Sequence, residues 1–225
     1  MNKLKRIALF AGMFGLPAFF ILFFLQGEQI YHKTPYFGTP TITETDTIPF
    51  KIETYSFEDI DGKQYNQDSF DNKYVVFNFI ESTCPYEGCN INFKIFKYLI
   101  YDEFEGNEGF KDAVIVSQIF GKDALERIST LREELELNPE KWIFVTGDYQ
   151  PFFDIELERG NPWQKKDTIY NYDREARVMT ILKDRDGFLR GKYVTTIADE
   201  VMRITKDISM LEKEQRDRLK QKNDD

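Results

Sequence analysis

Short apolar runs that alternate with helical segments are the feature that most limits what this chain can fold into. Residues 74–80 form the run YVVFNFI, which is rich in β-formers and typical of a strand buried on both faces. Residues 90–104 follow with apolar side chains at helical spacing, and residues 113–119 form the next buried run. Strands that alternate with helices favour a partly parallel sheet covered on both faces, which is an α/β fold.

The segments after residue 119 extend this pattern. Residues 123–137 predict a helix whose capping-box-like start comes from Asp123 and Glu126, and an Asn-Pro pair ends it. Residues 142–146 predict a third strand, and residues 149–157 predict a short helix.

Two hairpins and a last helix complete the predicted domain. Asp-Gly pairs mark hairpin turns within residues 55–65 and 178–194. A final helix begins near Thr196 and keeps apolar residues on one face as far as Leu211. We therefore predict one folded domain over residues 50–211. A charged helical tail at residues 212–225 follows it and is expected to be solvated and to fray.

The N-terminal segment predicts a membrane anchor. Residues 7–25 carry no charge and would reach about 28 Å as a helix, close to the hydrocarbon thickness of a bilayer. Lys3, Lys5 and Arg6 precede this run, which favours a cytoplasmic position for residues 1–6. The sequence thus predicts a single-pass protein of the cell inner membrane. It would contact lipid through this helix and hold its folded domain on the periplasmic side.

A cleaved signal peptide is the alternative for this segment, but the apolar run is long and offers no small-residue cleavage site. Residues 26–49 then predict a flexible tether, because prolines and threonines resist regular structure there. His32, the only histidine of the chain, lies in this tether.

Composition excludes one class of partner. The net charge of −9, with no basic stripe along the sequence, argues against nucleic acid as a ligand. The apolar share of 41% is far too high for a disordered chain. We therefore expect a folded protein without a nucleic-acid partner.

The two cysteines, Cys84 and Cys89, lie in the segment STCPYEGC, between the predicted strand at residues 74–80 and the helix that follows. Backbone N–H groups at a helix start are unpaired and carry partial positive charge, so a thiolate there is stabilised and reactive. Two such thiols can form a disulfide, exchange with another one, or bind a soft metal ion such as Cu(I). A structural disulfide is the alternative in an oxidising compartment. A closed zinc site would need further ligands that the chain hardly has.

Several motifs together resemble the thioredoxin-like superfamily, and within it the Sco/SenC proteins. They are the FEDIDGK turn at residues 57–63, the strand at residues 74–79 followed by Cys84-Pro85, the VTGD strand end at residues 145–148, and the final hairpin at residues 179–191. The resemblance implies a thioredoxin-like fold over roughly residues 50–210, with a central mixed sheet flanked by helices and an N-terminal transmembrane helix before it. It also implies copper handling in cytochrome oxidase assembly, with a respiratory oxidase subunit as the client.

The ligand set of the Sco/SenC family is incomplete in this chain. The family binds copper through two cysteines spaced C-x-x-x-C and one distant histidine, whereas Cys84 and Cys89 are one residue further apart. The position of that histidine falls near Glu175-Ala176-Arg177, where the chain has none. Two thiolates alone still suit Cu(I), so Cys84 and Cys89 are the candidate metal ligands and the third ligand is missing.

Two functional hypotheses follow. The first is an exported Sco-like protein that acts in thiol–disulfide exchange, in Cu(I) handling, or in both. Cys84 would be the attacking thiolate and Cys89 would resolve the mixed disulfide, which leaves open whether the chain is a thiol–disulfide oxidoreductase or a metallochaperone. The second is a non-catalytic binding or assembly module with a structural Cys84–Cys89 disulfide. It would contact a partner through the loop at residues 160–173, with Trp163 and Tyr170.

Overall fold

The chain forms two compact units, Met1–His32 and Lys33–Asp225. The computed structural model describes residues 11–26, 33–52, 54–82, 87–147, 178–195 and 197–224. In the first unit, a π-helical turn at Ala11–Gly15 leads into helix α1, Leu16–Gln26. Within the described part of the chain, no helix combines the length and the apolarity needed to cross a membrane. The anchor at residues 7–25 therefore stays a prediction.

Strands of the second unit form two sheets. A small hairpin pairs β1 (Thr41–Ile42) with β2 (Thr47–Ile48). The main sheet contains β3 (Phe57–Asp59), β4 (Gln64–Tyr65), β5 (Tyr74–Glu81), β6 (Ala113–Phe120), β7 (Trp142–Gly147), β8 (Val178–Lys183) and β9 (Leu189–Tyr193). Its strand order is β4-β3-β7-β6-β5-β8-β9.

The centre of the main sheet is parallel and its edges are antiparallel. Strand β5 pairs in parallel with β6, and β6 pairs in parallel with β7. The hairpin β3–β4 joins the β7 side, and the hairpin β8–β9 joins the β5 side. The partly parallel sheet and both hairpins predicted from the sequence are confirmed.

The helices follow the predicted order. They are α2 (Glu87–Phe96), continued by a π-helical segment (Lys97–Tyr101) and α3 (Asp102–Gly106), then α4 (Ala124–Leu135) and α5 (Ala198–Asp224). The predicted capping box of α4 is wrong, because Asp123 makes no side-chain cap hydrogen bond. Its backbone has φ −112° and ψ 30°, whereas a capping residue needs an extended conformation.

Two apolar clusters cover the two faces of the main sheet. The first includes Val76 and Ile80 of β5 and packs against apolar residues of α2, α4 and α5. The second includes Val75 and Phe77 of β5, and it is covered by aromatic side chains from the chain before β5, such as Tyr55 and Phe70. Alternate residues of β5 thus enter opposite clusters, as expected for a strand buried on both faces.

The segment at residues 33–37, which we call the N-terminal strap, lies against the folded domain. Thr34 N donates a hydrogen bond to Glu214 Oε1 (2.6 Å), and Phe37 N donates to Leu189 O (2.9 Å). The flexible tether predicted at residues 26–49 therefore includes residues that are hydrogen-bonded to the domain. Glu214, the partner of Thr34, belongs to the predicted tail, which is helical to Asp224.

Candidate functional site

The segment with the two cysteines connects the central strand to the helix after it. Strand β5 ends at Glu81, and α2 begins at Glu87. Cys89 is the third residue of α2, so its backbone belongs to the first helical turn. Cys84 lies outside the described residues, in the connection between Ser82 and Glu87. The described backbone on both sides gives the strand-to-helix order that the sequence predicts, and the role of the two thiols stays a prediction.

This connection starts at the carboxyl edge of the parallel strands. Ser82 N donates a hydrogen bond to Phe120 O at the end of β6 (2.7 Å), so the chain keeps its β pairing one residue beyond β5. Gly121 follows with φ +110°, and a Cβ atom there would lie 2.6 Å from Ser82 Oγ. Ligand and catalytic sites of open α/β sheets lie at this edge, beyond the carboxyl ends of the strands.

Gln118 is a buried polar residue at the same edge that the sequence analysis does not identify. Its Nε2 donates to Gly147 O at the end of β7 (2.8 Å). Its Oε1 and the hydroxyl of Ser82 are buried, and neither has a hydrogen-bond partner within the described part of the chain. A glutamine that follows a serine inside the largely apolar run at residues 113–119 is the signal that could have indicated it.

A row of buried polar side chains crosses the sheet below this edge. Asn78 of β5 pairs with Ser117 of β6 on one side and with Thr180 of β8 on the other. Thr180 Oγ1 donates to Asn78 Oδ1 (3.1 Å), and Asn78 Nδ2 lies 3.5 Å from Ser117 Oγ. Trp142 Nε1 donates to that same hydroxyl (2.9 Å). The asparagine within the apolar run of β5 and the serine within that of β6 are its sequence signals.

Two more residues attach to this row from outside the sheet. Asn92 of α2 accepts a hydrogen bond from Asn78 Nδ2 (3.2 Å) and donates through Nδ2 to Thr195 O (3.0 Å). Thr195 comes shortly before α5, and its hydroxyl lies 3.2 Å from Thr180 Oγ1. We call these six residues the Asn78 network: Asn78, Asn92, Ser117, Trp142, Thr180 and Thr195.

A cluster of buried charged side chains lies near the amino-terminal end of β5. Arg190 is 1% exposed, yet it bonds Asp184 Oδ2 (3.0 Å) and Glu214 Oε2 (2.8 Å). Burial raises the pKa of Asp184 despite this ion pair. Burial by itself would raise the pKa of Glu214 as well. Hydrogen bonds from Thr34 N and Arg190 outweigh that effect, so the pKa of this carboxyl is lowered. The cluster is near the strap and far along the sheet from the cysteine segment.

The described residues contain no group of three or more His, Cys, Asp or Glu side chains that could hold a metal ion. His32 and residues 175–177, where the family histidine is expected, lie outside the described part. The predicted helix at residues 149–157 and the aromatic loop at residues 160–173 also lie outside it.

Solved structures similar to this chain have low sequence identity to it. A protein of Aquifex aeolicus VF5, provisionally assigned to electron transport, aligns with a TM-score of 0.50 and 16% identity over 70% of this chain and 96% of that one. The fold of the second unit is thioredoxin-like. This likeness establishes the fold alone, which confirms the predicted α/β class.

Two further structures align with a TM-score of 0.47. BsSco, a member of the Sco family of cytochrome c oxidase assembly proteins, is 16% identical over 71% of this chain and 94% of that one. The thioredoxin domain of the thiol-disulfide oxidoreductase BVU-2223 from Bacteroides vulgatus is 18% identical over 71% and 96%. No family profile and no curated protein matches the sequence. No chemical activity of this chain follows from these likenesses.

Proposed function

We propose that this chain is a Sco-like thiol protein with a thioredoxin fold, in which Cys84 and Cys89 exchange disulfides with a client. One observation carries the proposal. The cysteine segment connects the carboxyl end of the central strand β5 to the first turn of α2, and Cys89 is part of that turn. The unpaired N–H groups of a helix start stabilise a thiolate, so this is a position where cysteine chemistry is favoured.

Exchange would proceed in two displacement steps. The Cys84 thiolate attacks one sulfur of a client disulfide, so that a mixed disulfide forms and the first client thiolate leaves and takes up a proton. The Cys89 thiolate then attacks Cys84 Sγ and releases the second client thiolate. The client disulfide gains two electrons and two protons, and Cys84 and Cys89 become oxidised to a disulfide.

The thiolates of Cys84 and Cys89 are also suited to binding Cu(I). Thiolates are soft ligands that select Cu(I), and the two cysteines supply two of them. Because the sequence has no histidine after His32, we propose transient Cu(I) binding by Cys84 and Cys89 and no stable Cu(II) site. Delivery to a respiratory oxidase subunit during cytochrome oxidase assembly is the client relationship that fits this reading.

The inner membrane is the proposed location. The described side chains of the apolar N-terminal unit, such as Phe14 and Phe19, are largely exposed, which suits a lipid environment better than water. Basic residues before the run support a cytoplasmic N-terminus and a domain on the periplasmic side. That compartment permits disulfide chemistry.

A redox titration of the full chain in detergent micelles tests the proposal. Thiol labelling after equilibration in glutathione buffers should show one two-electron transition in the native protein and none in Cys84→Ser or Cys89→Ser. Gel filtration with a competing Cu(I) chelator should leave Cu(I) on the reduced native protein but not on the variants. Absence of both a transition and Cu(I) retention would refute the proposal. A disulfide that no glutathione buffer reduces would favour a structural bond in a binding or assembly module.

A further inference from the structure

The Asn78 network contains five buried polar side chains and the indole N–H of Trp142, none of which the proposed thiol chemistry uses. Asn78, Asn92, Ser117, Thr180 and Thr195 are all fully buried, beside the apolar cluster that packs against α2, α4 and α5. A buried amide costs free energy unless its hydrogen bonds are made, and here both asparagines have partners. Such a network stabilises one arrangement of the surrounding elements more than it stabilises a compact core in general.

The network joins the two chain segments that carry the cysteines. Asn78 lies on β5, six residues before Cys84, and Asn92 lies on α2, three residues after Cys89. Their amides bond to each other directly, at 3.2 Å. The strand leading to one cysteine is thus linked to the helix that contains the other.

Asn92 also fixes the helix from a second direction. Its Nδ2 donates to Thr195 O, in the segment before α5, while its Oδ1 accepts from Asn78. A displacement of Asn92 by about one ångström, through a shift or a rotation of α2, would break its hydrogen bonds to Asn78 and Thr195, because hydrogen bonds weaken steeply with distance and angle. The neighbouring residues Phe93 and Phe96 of α2 contribute apolar packing, which has no comparable directional preference.

We propose that Asn92 is a positioning residue which, through Asn78, holds the first turns of α2 in register with the end of β5 and thereby favours the Cys84–Cys89 disulfide. The proposal deepens the proposed function and rests on it. The affected equilibrium is disulfide plus two glutathione thiols to dithiol plus glutathione disulfide, in which two electrons and two protons pass to the cysteines. A looser helix lowers the effective concentration of one thiol at the other, so the dithiol becomes favoured.

Asn92→Leu in the full chain tests this proposal in glutathione buffers. The substitution keeps the side chain close to its size but removes both hydrogen bonds. We expect the equilibrium constant to move about tenfold toward the dithiol, which for a two-electron couple corresponds to about 30 mV. Asn92→Ser serves as the second variant if the leucine variant does not fold.

Tyr193→Phe is the matched control. It removes another side-chain hydrogen bond, the partly buried one from Tyr193 Oη to Asp207 Oδ2 (2.7 Å), on an element that carries no cysteine. Urea unfolding of both variants shows whether their losses of stability are comparable. A merely structural role for Asn92 predicts an unchanged glutathione equilibrium in both.

A second readout separates the two proposals from each other. Dibromobimane becomes fluorescent only when it bridges two thiols, so its bridging rate reports how the reduced cysteines are positioned whether or not they exchange. We expect Asn92→Leu to slow bridging several-fold and Tyr193→Phe to leave it unchanged. If the native protein shows no glutathione transition but bridging still depends on Asn92, the function fails and the positioning role stands. If bridging and equilibrium in Asn92→Leu match those of Tyr193→Phe, the positioning role is overturned.

Discussion

Arg190 is a buried charged residue, and its guanidinium needs several hydrogen-bond partners to offset the loss of water. Its guanidinium is 1% exposed and lies 4.1 Å from the ring centroid of Tyr36. Two carboxylates, of Asp184 and Glu214, and the carbonyls of Thr34 and Pro35 accept its hydrogen bonds. A buried charge without such partners would cost several kcal/mol. Because the partners come from three separate parts of the chain, this one side chain links the strap, the last hairpin and α5.

The lowered pKa of Glu214 leads to a prediction about pH. A carboxyl whose pKa is lower in the folded state than in the unfolded one stabilises the fold above the ordinary glutamate range. That contribution disappears as the pH falls through the folded value. We expect Glu214→Gln to lower the free energy of unfolding by about 1–2 kcal/mol at pH 7. The difference from the native protein should shrink below roughly pH 4.5. Urea unfolding across this pH range measures it.

Glu133→Gln is the control for that experiment, since Glu133 is exposed on α4. Asp184, whose raised pKa has the opposite sign of pH dependence, is present in the native protein and in both variants, so only a change in its pairing with Arg190 enters the comparison. A Glu214→Gln effect that does not change with pH would mean that its charge does not stabilise the fold.

At the level of elements, the approach of β3 to the end of β7 depends on a glycine. Gly147 has φ +140°, and a Cβ atom there would lie 2.4 Å from Ser56 O. Gly147 also pairs with Phe57 of β3 and accepts the hydrogen bond of Gln118. The glycine of the VTGD motif therefore has a structural reason, which is the close pairing of two strands beside the candidate site.

Gly147→Ala should separate these two strands. The backbone conformation disfavours alanine, and the clash is with a backbone oxygen that cannot move without breaking the β3–β7 pairing. We expect a loss of roughly 2–3 kcal/mol in the free energy of unfolding, measured in urea. Gly106→Ala is the control, because no atom lies within 4 Å of its Cβ position. A loss at Gly147 no larger than at Gly106 would contradict this account.

At the scale of the whole domain, the strap and Lys51 cover part of an edge of the main sheet. Strand β9 is the last strand on its side. Leu189 O accepts a hydrogen bond from Phe37 N of the strap, and Lys51, later in the chain, forms a β bridge with Phe188 just before β9. Exposed strand edges promote pairing with other chains, so this cover has a protective value as well as a stabilising one.

Two truncations test where the domain begins. A chain starting at residue 33 keeps the strap, whereas a chain starting at residue 50, the boundary predicted from the sequence, loses the contacts of Thr34 and Tyr36 with Arg190. We expect the shorter chain to be less stable by about 3 kcal/mol or more, because Arg190 loses buried partners. Urea unfolding of both compares them. Equal stability would show that the strap adds nothing to the domain.

Local patterns were sufficient for most of the fold. Hydrophobic periodicity and the two Asp-Gly turns predict the strands, the helices and their order, because each depends on residues close together in sequence. The same patterns put Cys84 and Cys89 between a strand and a helix. The capping box at Asp123 failed because a cap requires a backbone conformation that the residue types alone do not determine.

Only the tertiary structure decided which distant polar side chains meet. Asn78 and Asn92 are 14 residues apart, and Arg190 reaches Thr34 across 156 residues. No periodicity connects such pairs, since their contact depends on how whole elements pack. Burial then makes these contacts selective, because an unpaired amide or guanidinium inside the core is costly. The α/β order and the position of the cysteine pair thus come from the sequence, whereas the strap and the Asn78 network come from packing.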